Sequence, residues 1–259
     1  RCIGDSGNRP ENWAAYDVVL QGLEYHRRSM TAGENARKAN ELFNKAIEID
    51  PNYARAHAWS ACSLANKAGW YPQDMEDTWF DDCIASVTRA LEIDSNDPEA
   101  HRIMGAIKLS GGDFELAIYH HERAVELCPS DAYIRSRYAS LLIYLGQPEQ
   151  ALDEIHRAMR IDPFCPDVLF EDEGMSYYWL EKFTKAIDSL RKVKVPTRNS
   201  LFYHACALAK SEQTEKATET LKQAITTHDM TVERFVASQE YKDQEKREEL
   251  LETLQAISV

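Results

Sequence analysis

The feature that most constrains this chain is a short string that returns at a fixed interval. Lys45-Ala46-Ile47-Glu48-Ile49-Asp50-Pro51 comes back as Arg89-Ala90-Leu91-Glu92-Ile93-Asp94-Ser95. It returns again as Arg123-Ala124-Val125-Glu126-Leu127-Cys128-Pro129 and as Arg157-Ala158-Met159-Arg160-Ile161-Asp162-Pro163. Ala90, Ala124 and Ala158 stand 34 residues apart. Such a period means one supersecondary unit stacked on copies of itself. In residues 98–131, Met104-Gly105 fall in a first helix and Ala117, His121 and Ala124 in a second. Glycine and alanine at these places let two helices cross closely. Gly111-Gly112-Asp113 ends the first helix and caps the second, because glycine tolerates a left-handed cap and aspartate accepts backbone N–H bonds. Pro129 stops the second helix, lacking a donor and clashing with the turn before it. Residues 132–165 repeat the pattern with Tyr138-Ala139, Gly146, Ala151, Ile155, Ala158 and Pro163.

This period and spacing resemble the tetratricopeptide (TPR) repeat. The fold class expected is all-α, a right-handed TPR superhelix or α-solenoid. It would hold about six helix-turn-helix repeats, near 10–53, 54–97, 98–131, 132–165, 166–197 and 198–231. Capping helices follow in 232–259, where Leu250, Leu251 and Leu254 have helical apolar spacing. The first repeat has a longer internal turn, and the second an insertion over residues 70–79 that carries Trp70, Tyr71 and Trp79. Residues 1–9 read as a frayed, polar lead-in, and 10–259 as a single solenoid.

Composition agrees and excludes several functions. Only 10 glycines and 9 prolines in 259 residues argue against a sandwich or barrel. A net charge of −13 makes nucleic acid a poor partner. No stretch approaches about 18 consecutive apolar residues, so direct membrane insertion is not expected. The chain opens at Arg1 rather than Met, as a piece of a longer protein would. The six cysteines, Cys2, Cys62, Cys83, Cys128, Cys165 and Cys206, are scattered and read as unpaired small hydrophobes, which favours a cytoplasmic setting. A periplasmic setting would follow from a transmembrane helix upstream.

Residues 10–17, Pro-Glu-Asn-Trp-Ala-Ala-Tyr-Asp, run into Val18-Val19-Leu20-Gln21-Gly22-Leu23-Glu24-Tyr25-His26. With Ala39-Asn40-Glu41-Leu42-Phe43, the Gly69-Trp70 insertion and the ending Tyr241-Lys242-Asp243, this resembles the C-terminal TPR region of bacterial class III adenylate/guanylate cyclases. Winged-helix regulators and TolB-like TPR proteins carry similar regions. The resemblance implies a regulatory, protein-binding or self-associating role in cyclic-nucleotide signalling. The family's catalytic domain would lie upstream, so this segment would have no enzymatic activity of its own. The alternatives are the periplasmic sensor region of a membrane-anchored transcription regulator and, third, an enzyme built on a helical array.

Chemical candidates are few. His120 and His121 are adjacent, so on a straight helix they point about 100° apart and cannot share a metal. No catalytic, cofactor or metal site is expected. Asp172 and Glu173 fall near interior slots of the fifth repeat, where Leu and Gly would be usual; two buried carboxylates there would be costly. They mark that repeat as the place for a departure with functional meaning. The partner-binding groove is expected on the first helices, at Glu99, Arg102, Ser110, Tyr133, Ser136, Ser140, Tyr144, Tyr178 and Trp179. The slots that clamp a C-terminal carboxylate in one TPR subset hold Val19, Leu23, Ala58, Cys62, Arg102 and Ala106, of which only Arg102 is basic. A protein or peptide partner, or a second copy of the chain, is expected without that clamp.

Overall fold

The computed structural model describes residues 12–29, 32–164 and 167–258. The expected frayed lead-in at 1–9 lies outside them. The regular elements among the described residues are fourteen α-helices and one short 3₁₀ turn. They form two compact units, Arg1–Ser130 and Asp131–Val259, divided at the seam between the third and fourth repeats.

The first unit holds three helix pairs: α1 (Trp13–His26) with α2 (Gly33–Ile49), α3 (Ala54–Trp70) with α4 (Trp79–Ile93), and α5 (Pro98–Ser110) with α6 (Phe114–Leu127). The second holds α7 (Ala132–Tyr144) with α8 (Pro148–Ile161), α9 (Val168–Trp179) with α10 (Phe183–Leu190), and α11 (Arg198–Lys210) with α12 (Thr214–His228). Two closing helices follow, α13 (Val232–Ala237) and α14 (Gln244–Gln255). Leu250 and Leu254 of α14 are fully buried, as the apolar spacing predicts. The fold is all-α and of the TPR type.

Within four of the six pairs one crossing recurs. A small residue of the first helix meets a larger residue of the second. A Cβ on Gly22 would lie 2.6 Å from Phe43, on Gly105 2.6 Å from His121, and on Gly174 2.5 Å from Leu190. Ala139 and Ile155 take the equivalent places in the fourth repeat, and both are fully buried. Alanines 46, 90, 124, 158 and 224 are also fully buried, one further turn along five of the six second helices. His121 therefore fills an apolar-sized slot against glycine and is buried.

The insertion in the second repeat folds back on its own unit. The Trp70 indole donates to the Ser29 carbonyl at 2.7 Å. The Tyr71 ring lies under the Arg37 guanidinium, 3.7 Å from its centroid, and against Gly33.

Tight turns joining first to second helices share one geometry. Gly112 and Gly146 both have φ +77°. The next residue's N–H reaches back to a carbonyl of the helix, Asp113 to Lys108 and Gln147 to Leu142, each at 2.9 Å. Asp113 also accepts from the Leu116 N–H at 3.2 Å, the expected cap. Glu181 (φ 57°) and Glu212 (φ 60°) occupy the same place in the fifth and sixth repeats. A Cβ in this region costs about 1–2 kcal/mol. Part of that gain on changing to glycine is offset by the freer unfolded chain.

One reading is corrected here. Cys62, Cys83 and Cys206 are free, but Cys128 is disulfide-bonded. The spacing of single cysteines along a helical chain does not reveal which of them pair, so the unpaired reading failed there. The cytoplasmic inference loses that support.

Glu212 is exposed, so its side chain has little packing to lose. Glu212→Gly should therefore raise stability by about 0.5–1 kcal/mol. Urea unfolding should show a higher midpoint with an unchanged slope; a lower midpoint would contradict the turn assignment.

Candidate functional site

In the C-terminal unit the first helices α7, α9 and α11 lie side by side. On α7 the residues Tyr133, Arg137, Ser140 and Tyr144 recur every three to four positions and so share one face. Opposite them, α9 brings three consecutive carboxylates, Glu171, Asp172 and Glu173, each less than a tenth exposed. Successive helical residues diverge by about 100°, so the three reach different neighbours. Asp172 accepts from Ser140 Oγ at 2.6 Å and from Arg137 Nη2 at 3.3 Å. Glu171 accepts from the Thr197 hydroxyl at the start of α11. Glu173 turns to the second helices, meeting Ser189 Oγ at 2.6 Å and His156 Nε2 at 3.1 Å. The fifth repeat keeps its register, with Gly174 in the crossing slot. Its acids are buried and hydrogen-bonded, which removes much of the cost of burying them.

An aromatic group continues the same face. Tyr241, in the segment between α13 and α14, accepts from the Trp179 indole at 2.6 Å and lies 2.5 Å from the Tyr203 hydroxyl. Its ring centroid is 5.1 Å from that of Tyr144, and the Lys242 N–H donates to the Tyr144 carbonyl at 3.0 Å. Burial holds the Tyr144 and Tyr203 phenols well above their ordinary range, so both stay protonated donors.

Burial raises Glu171 to about 7, helped by the neighbouring Asp172 charge and opposed by Thr197 and Arg137. Asp172 is also raised by burial, with Arg137 and Ser140 pulling it down. The face can therefore hold a proton near neutral pH on one acid while the other pairs with Arg137.

Of the residues expected in the groove, Tyr133, Ser140, Tyr144 and Trp179 belong to this face. Tyr133 is 38% exposed and Tyr178 only 2%. Tyr178 points into the core against Tyr203, their ring centroids 5.5 Å apart, and Ser136 is fully buried with its hydroxyl on the Tyr133 carbonyl. In the N-terminal unit Glu99 and Arg102 pair with each other at 2.6 Å, and Ser110 is exposed at the end of α5. Arg137, Glu171, Thr197 and Tyr241 were not singled out from sequence as groove residues. Arg137 could have been, since it stands one turn from Tyr133 and Ser140 on the same stripe. Thr197 and Tyr241 arrive from segments whose position only the fold supplies.

Among the described residues no group of three or more His, Cys, Asp or Glu is arranged to hold a metal ion. His101 and His120 face each other, Nδ1 to Nδ1 at 2.9 Å, and burial lowers both, His120 to about 4. No described helix is long and apolar enough to cross a membrane.

No protein-family model matches the chain. It is 24% identical to mitochondrial import receptor subunit TOM70 of Rattus norvegicus over 119 residues, 46% of this chain and 18% of the relative. It is 28% identical to anaphase-promoting complex subunit 3 of Schizosaccharomyces pombe over 171 residues, 66% of this chain and 22% of the relative. The chain thus spans about a fifth of the length of these relatives. Among solved structures it superposes on the Cut9–Hcn1 assembly of the APC/C with TM-score 0.65 at 15% identity, covering 97% of this chain and 47% of that one. The pilus biogenesis factor PilW gives 0.60 at 15%, covering 85% and 96%, and PilF of Pseudomonas aeruginosa 0.56 at 19%, covering 92% and 98%. These likenesses place the fold among tetratricopeptide-repeat proteins.

The raised Glu171 gives a pH signature. A carboxyl whose folded value exceeds its unfolded value stabilises the fold fully below the unfolded value, and that stability is lost as pH rises through the folded one. Between about pH 4.5 and 7 the Glu171 contribution should therefore fall, by roughly 2–3 kcal/mol. Buried histidines with lowered values, His101 and His120 among them, act in the opposite sense, so the readout is a difference. Subtracting the Glu171→Gln stability profile from that of the unaltered chain should leave a downward slope over this window; a flat difference would contradict the assignment.

Proposed function

We propose that this chain is a non-catalytic TPR scaffold that binds a protein or peptide segment. The docking face is that of α7, α9 and α11, with Tyr133 and Arg137 as the reachable anchors and Ser140, Tyr144 and Trp179 beside them. The observation that carries this reading is the polar and aromatic layer stitched across three first helices with Tyr133 left open to solvent. Tyrosine, tryptophan and arginine are the residues that most often anchor interfaces. The relatives support it, since TOM70 is named as a receptor subunit and the other as a subunit of a complex. The net charge of −13 favours a partner segment carrying lysine or arginine.

The finer reading rests on the resemblance of residues 10–26 and the second-repeat insertion. It makes the chain the C-terminal region of a bacterial class III nucleotide cyclase, in which partner binding or self-association biases the attached catalytic domain. The disulfide at Cys128 favours the alternative, a periplasmic sensor region of a membrane-anchored regulator, because such bonds persist in oxidising compartments. Groove residues Glu99, Arg102 and Ser110 of the N-terminal unit are proposed as further contacts.

A photo-crosslinking side chain placed at position 133, compared with one at Lys216 on α12, tests the docking face in the native host. Discrete partner adducts from position 133 and few from 216 are expected. Equal capture at both positions, or none at 133, would overturn it.

A further inference from the structure

In the N-terminal unit three first helices bring a thiol, an imidazole and a guanidinium to one point. Cys62 of α3 is partly exposed, and its sulfur lies 3.6 Å from Nε2 of His26 at the end of α1. The positive charge of Arg102 on α5 favours the thiolate of the same sulfur. Arg102 is 3% exposed, set over the Trp59 ring with its carbon 5.3 Å from the centroid, and oriented by Glu99 at 2.6 Å. The His26 ring stands edge-on to Trp59 at 5.0 Å, so the imidazole and the guanidinium are braced by one indole. On α4 the Cys83 thiol is fully buried and donates to the Ala61 carbonyl at 3.4 Å.

We propose that Cys62 is a modification site, a reactive thiolate oxidised by hydroperoxides, with His26 as its proton acceptor and Arg102 as the group that holds its charge. Thiolate nucleophiles sit in such electropositive, partly exposed surroundings, whereas buried structural cysteines are inert. Burial alone would push the Cys62 thiol up, but His26 and then Arg102 outweigh it and bring it down to about 7. Burial pushes Cys83 up to about 12 and raises Cys206 as well.

The step balances within the cluster and the peroxide. The thiol proton passes to His26 Nε2. The thiolate attacks one peroxide oxygen, an S–O bond forms and the O–O bond breaks. Sulfur is oxidised to sulfenic acid and the peroxide is reduced. The departing hydroxide or alkoxide takes the proton from the His26 imidazolium and leaves as water or alcohol.

The experiment uses the full chain in its native state. Iodoacetamide labelling is followed from pH 5 to 9, with each cysteine resolved by mass spectrometry. Labelling at Cys62 should rise with a midpoint near pH 7, while Cys83 and Cys206 stay silent until the chain is denatured. Arg102→Met should move that midpoint toward the ordinary 8.5 and slow labelling about threefold at pH 7, since lost thiolate outweighs the gain in nucleophilicity. Arg102→Lys should restore most of it. A midpoint above 8 in the unaltered chain, which needs no variant to fold, would overturn the proposal. Hydrogen peroxide followed by dimedone should tag Cys62 before the other thiols; no tag at Cys62 would equally overturn it.

Discussion

Everything in this structure depends on close approach between paired helices at one small residue. In three repeats that residue is glycine, and the side chain it meets is Phe43, His121 or Leu190. The contact sets how deeply the second helix sits against the first. It therefore sets which faces of the first helices remain available to neighbours. Packing at native density leaves no room for a methyl group there, since the nearest atoms would fall within 2.6 Å.

That constraint explains why the fold was legible. A short crossing contact at a fixed place in each unit must repeat in sequence, and Ala90, Ala124 and Ala158 do so. The helix ends were legible for a similarly local reason, as Gly112, Gly146 and Asp113 show. The two glutamates at 181 and 212 hid the same turn, because a left-handed residue with a side chain leaves no sequence mark. The Cys128 disulfide left no mark in the cysteine spacing either.

The site was legible in part. Tyr133, Ser140, Tyr144 and Trp179 could be read from the face of a first helix. Tyr178, next to Trp179, points instead into the core. A turn of 100° separates a contact residue from a core residue, and short apolar-aromatic runs do not reveal which is which. Asp172 was flagged as a departure, but its partners Arg137 and Ser140 come from the preceding repeat, and Glu171 finds Thr197 in the next. Such polar links between repeats let the fifth repeat bury acids that an isolated helix pair would expel. The Cys62–His26–Arg102 cluster arises in the same way, from side chains 36 and 40 residues away along the chain.

The most direct test of the crossing contact is a double-mutant cycle at Gly174 and Leu190. Alone, Gly174→Ala should destabilise the chain despite alanine's better helix propensity, because its methyl meets the leucine. In the Leu190→Ala background the same change should be neutral or stabilising, giving a coupling of about 1 kcal/mol or more. Additive effects of the two substitutions would contradict the account.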